Sequence, residues 1–102
     1  MKTAKVVVNS FEAGILQEVV FRTHYRFIYN DGYKNGPVSL LMTTSKKIYD
    51  FDRFPPFFEG LLPEGMMLES LLKQLKLDRY DFMSQLIAVG NDMVGYVTVK
   101  GT

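Results

Sequence analysis

The sequence predicts an α+β fold: a small, mostly antiparallel sheet made of N-terminal strands plus a C-terminal strand, with two helices packed on one side. Three observations carry this expectation. Valine, isoleucine and aromatic residues dominate the first third in short runs separated by turn residues. Adjacent prolines, Pro55 and Pro56, interrupt the middle. Leucines at helical spacing follow them, and a valine-rich segment closes the chain.

The elements follow in order. Lys5 to Asn9 and Ile15 to Phe21 read as strands, with Asn9, Ser10 and Gly14 as punctuation, the pattern of a hairpin or bulged pair. His24 to Tyr29 alternates: Tyr25, Phe27 and Tyr29 share one face, and His24, Arg26 and Ile28 share the other. Asn30-Asp31-Gly32 supplies residues that tolerate positive φ and marks a turn. Val38 to Thr43 reads as a short fourth strand, and Ser45 to Asp52 as loop or strand edge.

Past the prolines, Leu68, Leu71, Leu72 and Leu75 fall at i, i+3, i+4 and i+7, one stripe of a helix facing the core. Pro63 suits the first turn of this helix, Glu64 places a negative charge near the positive end of its dipole, and Gly65 weakens that turn. A second helix opens with Asp78 as cap and Asp81 in the first turn, carries Phe82, Leu86 and Val89 on one stripe with Met83 and Ile87 beside it, and stops at Gly90. Val94 to Val99 is the closing strand.

A chain of 102 residues suits one hydrophobic core, so residues 1–102 are expected to form a single domain. With 47% apolar and 23% charged residues, it lies far from the compositions that stay disordered. A formal net charge of +1, with no run of like charges, argues against direct nucleic-acid binding. There is no cysteine, hence no disulfide and no thiolate chemistry. The apolar run Val6 to Val8 is too short for a secretion signal, and no stretch has the length of a membrane span, which points to a cytoplasmic protein without a membrane partner.

The residues of catalysis do not assemble into a pattern. His24 is the only imidazole, too little for a metal site. Gly32 and Gly36 lack the spacing of a phosphate-binding loop. Glu59, Glu64 and Glu69 sit around glycines and a proline with nothing to pair them, and no serine lies in a nucleophile elbow. The expectation is a non-enzyme with no catalytic residues, no cofactor and no metal. What stands out is the run from Phe54 to Met67, dense in apolar groups yet broken by prolines and glycines. Phe57, Phe58, Leu61 and Leu62 read as core plugs. Met66 falls off the face of the leucine stripe, and pliable methionine is overused at binding surfaces. Pro63, Glu64, Gly65, Met66 and Met67 are therefore the candidate partner-binding residues.

Within that run, Phe57-Phe58-Glu59-Gly60-Leu61-Leu62-Pro63-Glu64-Gly65 resembles the FF-x-x-LLPEG hallmark of the N-terminal subdomain of HipA-type serine/threonine kinases, toxins of bacterial toxin–antitoxin systems. Flanking segments agree in order: Gly14 and Leu16, the aromatic strand ending at Tyr29, Pro37-Val38-Ser39-Leu40, and Gly90-Asn91-Asp92 leading to Val94-Gly95-Tyr96. The resemblance runs from about Val6 to Val99 and stops where the kinase body of the family would begin. It implies a free-standing, HipS-like antitoxin of a tripartite HipB–HipS–HipT system, binding and inhibiting a HipT-like serine/threonine kinase. Through that kinase it would join a ternary complex with a HipB-like helix-turn-helix DNA-binding protein. The alternative it implies is the non-catalytic N-terminal subdomain of a HipA-type kinase, as a fragment or supplied in trans, supporting kinase structure or activity.

Overall fold

The computed structural model describes residues 1–90, 93 and 95–102. Its strands are β1 (Thr3–Val8), β2 (Phe11–Val20), β3 (His24–Tyr29), β4 (Ile48–Phe51) and β5 (Val97–Gly101), and its helices are α1 (Pro56–Glu59), α2 (Gly65–Leu75) and α3 (Phe82–Gly90). The strands form one sheet in the order β4-β3-β2-β1-β5, every neighbouring pair antiparallel. This is the expected small α+β fold.

Asn9 and Ser10 make the first turn, both with positive φ (47° and 73°), as a two-residue hairpin loop between right-twisted strands demands. The period of two then sorts the side chains. Ala4, Val6 and Val8 of β1, Leu16 of β2, Tyr25, Phe27 and Tyr29 of β3 and Val99 of β5 are all buried on one face. His24, Arg26 and Ile28 turn to the other face, as their alternation predicts. Gly14 allows β2 and β3 to approach: a Cβ there would lie 2.1 Å from the Ile28 carbonyl oxygen. The one buried carboxylate of this face, Glu18, accepts hydrogen bonds from the Arg22 amide (3.2 Å) and the Tyr25 hydroxyl (3.4 Å). Burial, and then the Glu18 charge, push the Tyr25 phenol up to about 12.

The fourth strand is not where the sequence places it. Val38 to Thr43 does not run extended; it folds back through Leu40 and Leu41, with the Met42 amide donating to the Ser39 carbonyl (3.1 Å) and one isolated bridge between Ser39 and Met42. Val38 and Met42 are buried while Leu40 between them is exposed, whereas a strand would place all three on one face. The edge strand comes later, as Ile48–Phe51 inside the segment read as loop or strand edge.

The break at Pro55-Pro56 is present, and it starts a helix that the sequence reading did not include. Pro56 occupies the first position of the one-turn α1, where its missing N–H costs nothing. That turn drives Phe58 fully into the core, its ring centroid 6.2 Å from that of Phe27. Phe57, Leu61 and Leu62 pack against the core while half-buried.

In α3 the cap is Asp81 and not Asp78. The Asp81 carboxylate accepts from the Ser84 amide (3.2 Å) and hydroxyl (2.8 Å), while Asp78 accepts from the Tyr80 amide (2.7 Å) and shapes the preceding turn. The buried face is Met83, Gln85, Leu86 and Gly90, rotated from the expected Phe82, Leu86 and Val89. Close packing sets the rotation: a Cβ on Gly90 would lie 2.2 Å from the Val99 carbonyl oxygen, so α3 seats on β5 through its glycine. Gln85 is buried because its amide nitrogen donates to the carbonyls of Asp78 (3.1 Å) and Arg79 (2.9 Å) and ties down the α2–α3 loop. The expected start of the last strand at Val94, and the Asn91-Asp92 pair of the family motif, lie outside the described residues.

Candidate partner-binding site

Pro63 precedes α2 and does not occupy its first turn. Glu64 stands at the N-cap in extended conformation (φ −126°, ψ 164°), and its side chain makes no capping hydrogen bond. Gly65 takes φ +57°, with open space where a Cβ would be, so glycine is needed here for backbone conformation alone. The glycine therefore makes the turn from the extended Pro63-Glu64 into the helix, where the sequence reading took it as a weak point. The consequence is positional. The chain leaves this bend with Met66 and Met67 in the first helical turn, 89% and 74% exposed.

The leucine stripe of α2 is not a core stripe. Leu72 alone is buried; Leu68 and Leu71 are half-buried, and Leu75 is 51% exposed. The reason lies in where α2 sits: α3 and the short α1 already cover the sheet through Met83, Leu86 and Phe58, leaving α2 outside that layer. Between them lies an open groove of about 740 Å³, whose apolar lining includes Leu61, Leu62, Pro63, Met67, Leu71, Leu75 and Val89. Of the five candidate residues, Pro63 and Met67 line the groove, Glu64 lines a separate hollow with Pro63, and Gly65 and Met66 line neither. The groove itself was not foreseen, because helical spacing places leucines together without saying what covers them.

The hollow beside Pro63 carries both signs: Glu59, Glu64 and Arg79 line it, and all three are exposed. Glu69 is paired with Arg79, and its hydrogen bond pushes the guanidinium further up. Among the described residues no group of three or more His, Cys, Asp or Glu side chains could hold a metal ion. The unexpected exposure is elsewhere: Leu40 and Leu41 are each 90% exposed at the tip of the Ser39–Met42 turn.

A five-stranded antiparallel sheet with helices on one face, an open apolar groove among the described residues and an exposed methionine pair define a small α+β domain with apolar surface outside its core. The chain belongs to the HipA N-terminal domain family, whose model matches residues 4–100. It is similar to a solved structure described as the N-terminal domain of HipA toxin, with 25% identity and a TM-score of 0.77 over 100% of this chain and 93% of that one. A protein of Haemophilus influenzae whose own role is uncharacterized is 26% identical over 100 residues, 98% of this chain and 92% of that protein. The chain is thus a toxin–antitoxin-related domain, and the matched family is that of the non-catalytic part of HipA. No helix among the described residues is long and apolar enough to cross a membrane.

Proposed function

We propose that this domain is an antitoxin-type protein that binds and inhibits a HipT-like serine/threonine kinase, with Pro63, Glu64, Gly65, Met66 and Met67 at the contact. One observation carries the reading: Met66 stands almost fully exposed on a helical turn whose direction is set by Gly65, next to Met67, which lines an apolar groove left open among the described residues. The turn that presents Met66 is preorganised by Gly65, and its flexible thioether side chain can adapt to the surface that it meets. Glu59 and Glu64, in the hollow beside Pro63 whose Arg79 is engaged by Glu69, suit basic groups on the kinase. A HipB-like helix-turn-helix protein would join through the kinase; the net charge of +1 supports no direct contact of this domain with nucleic acid.

The test is titration of the domain into the cognate kinase, read as binding and as phosphoryl transfer. Kinase output should fall as the domain is added. Met66→Asp should weaken association by about 2 kcal/mol, roughly 30-fold, because the carboxylate would be desolvated without a partner. Its melting temperature should stay at the wild-type value. Kinase output that rises or stays constant on addition would favour the alternative, a non-catalytic subdomain that supports the kinase.

A further inference from the structure

Methionine is ordinarily a buried residue, and the six in this domain divide sharply by exposure. Met42 and Met83 are buried, and Met93 packs half-buried against the core. Met66 and Met67 stand side by side and exposed in the first turn of α2, and Met1 is exposed at the start of the chain. The other apolar residues of α2 are all leucine: Leu68, Leu71, Leu72 and Leu75. Leucine and methionine are close in volume and in helix propensity, so neither packing nor the helix asks for sulfur at the two exposed positions. What the thioether has and leucine lacks is a reactive lone pair.

That lone pair makes the two residues oxidisable. One oxygen atom passes from hydrogen peroxide to the sulfur: the O–O bond breaks as the S–O bond forms, the thioether loses two electrons, and the peroxide leaves as water. The oxidant must reach the sulfur, so exposure sets the order, and Met66 and Met67 precede Met42 and Met83. The product is a polar, chiral sulfoxide in place of an apolar group. On the free domain the change costs little, because both side chains already face water and neither belongs to the core cluster. At a contact it costs much more, since the sulfoxide oxygen would be desolvated against an apolar surface. Met67 shares the groove lining with Leu61, Leu62, Leu71 and Leu75, so its oxidation also puts a polar group on the groove wall.

We infer that Met66 and Met67 are a modification site, at which reversible oxidation by a peroxide releases the domain from its kinase and leaves it folded. This rests on the reading that these residues form the contact. It adds a chemistry of regulation: peroxide frees the kinase, and methionine sulfoxide reductases, one for each sulfoxide epimer, restore its inhibition.

The experiment treats the purified domain with hydrogen peroxide, removes the peroxide, maps the oxidised residues by peptide mass spectrometry, and titrates the product into untreated cognate kinase. Met66 and Met67 should gain oxygen roughly tenfold faster than Met42 and Met83. The oxidised domain should melt with the untreated one, bind roughly tenfold more weakly, and regain its affinity after treatment with both sulfoxide reductases. Met66→Leu/Met67→Leu should keep its affinity through the same treatment, although Met1 still oxidises in it. Met66→Gln/Met67→Gln, with a polar amide in place of each thioether, should bind as weakly as the oxidised domain without any peroxide. Oxidised and untreated proteins of equal affinity, or core methionines that oxidise as fast as the exposed pair, would overturn the inference while leaving the proposed function intact. So would a glutamine variant that binds like wild type, or a loss of affinity on oxidation that persists in the leucine variant and so belongs to another methionine. An oxidised domain that melts well below the untreated one would make the modification an unfolding lesion, which also overturns it. An untreated domain that does not bind the kinase removes this inference and the proposed function together.

Discussion

Alanine at Leu72 and alanine at Leu75 should have different effects on the isolated protein, although both belong to one leucine stripe. Leu72 retains 9% of its accessible surface, and Leu75 retains 51%. Truncating a buried leucine costs about 2–5 kcal/mol, transfer and cavity together. Leu72 is buried but stands outside the contiguous core cluster, so the lower end applies, about 2–3 kcal/mol. Full burial of a leucine is worth roughly 1.5–3 kcal/mol, and a half-exposed one keeps at most half of that without leaving a closed cavity, so Leu75→Ala should cost under about 1.5 kcal/mol. Against a total stability on the order of 5–15 kcal/mol, the first loss is large and the second is barely resolved. Urea denaturation followed by far-UV circular dichroism measures both, with equal slopes confirming that the unfolded surface is unchanged. A Leu75→Ala loss of 2 kcal/mol or more would mean that the stripe is covered in the free protein, and the groove as a docking surface would fall with it.

Gly14→Ala should destabilise by roughly 1–3 kcal/mol, since its methyl group would lie 2.1 Å from a backbone carbonyl that is held in the sheet and 2.9 Å from the Phe27 ring. A variant that melts with wild type would refute the close approach of β2 and β3. Asp81 gives a pH signature. Its burial would raise the carboxyl, but hydrogen bonds from Lys2 (2.8 Å) and Ser84 outweigh burial and hold it below its usual 3.8. A depressed folded-state value contributes stability that is present above the unfolded value and lost as pH falls through the folded one. Asp81→Asn should therefore melt below wild type at neutral pH, and the gap should close on acidification below the ordinary carboxylate value of 3.8. A gap that stays constant across the titration would show that the carboxylate charge contributes nothing there.

Much of this fold was readable from side-chain order alone. His24 to Tyr29 is a strand with those boundaries and those faces, because three aromatics at a period of two leave one arrangement that buries them together. Asn9 and Ser10 mark the first turn, and the two longer helices lie where leucine spacing and Gly90 place them. The Phe57 to Gly65 block was enough to point to the family that the matched residues 4–100 establish. Met66 falls off the leucine stripe in the sequence and stands exposed in the structure, while the conformation of Gly65 that presents it is set by backbone that side-chain order does not encode.

What required the tertiary structure was the question of what meets each face. Val38 to Thr43 has strand composition, but the Tyr29 hydroxyl fixes it as a turn, a contact nine or more residues away that no local pattern encodes. Asp78 and Asp81 are equally good caps by type, and Lys2, across the whole length of the chain, selects Asp81. The leucines of α2 share a stripe whether that stripe meets this chain's core or another protein's surface, since periodicity records only which residues are neighbours on the helix. Occupation of the sheet by α1 and α3 decides it, leaving Leu75 and the groove open to water.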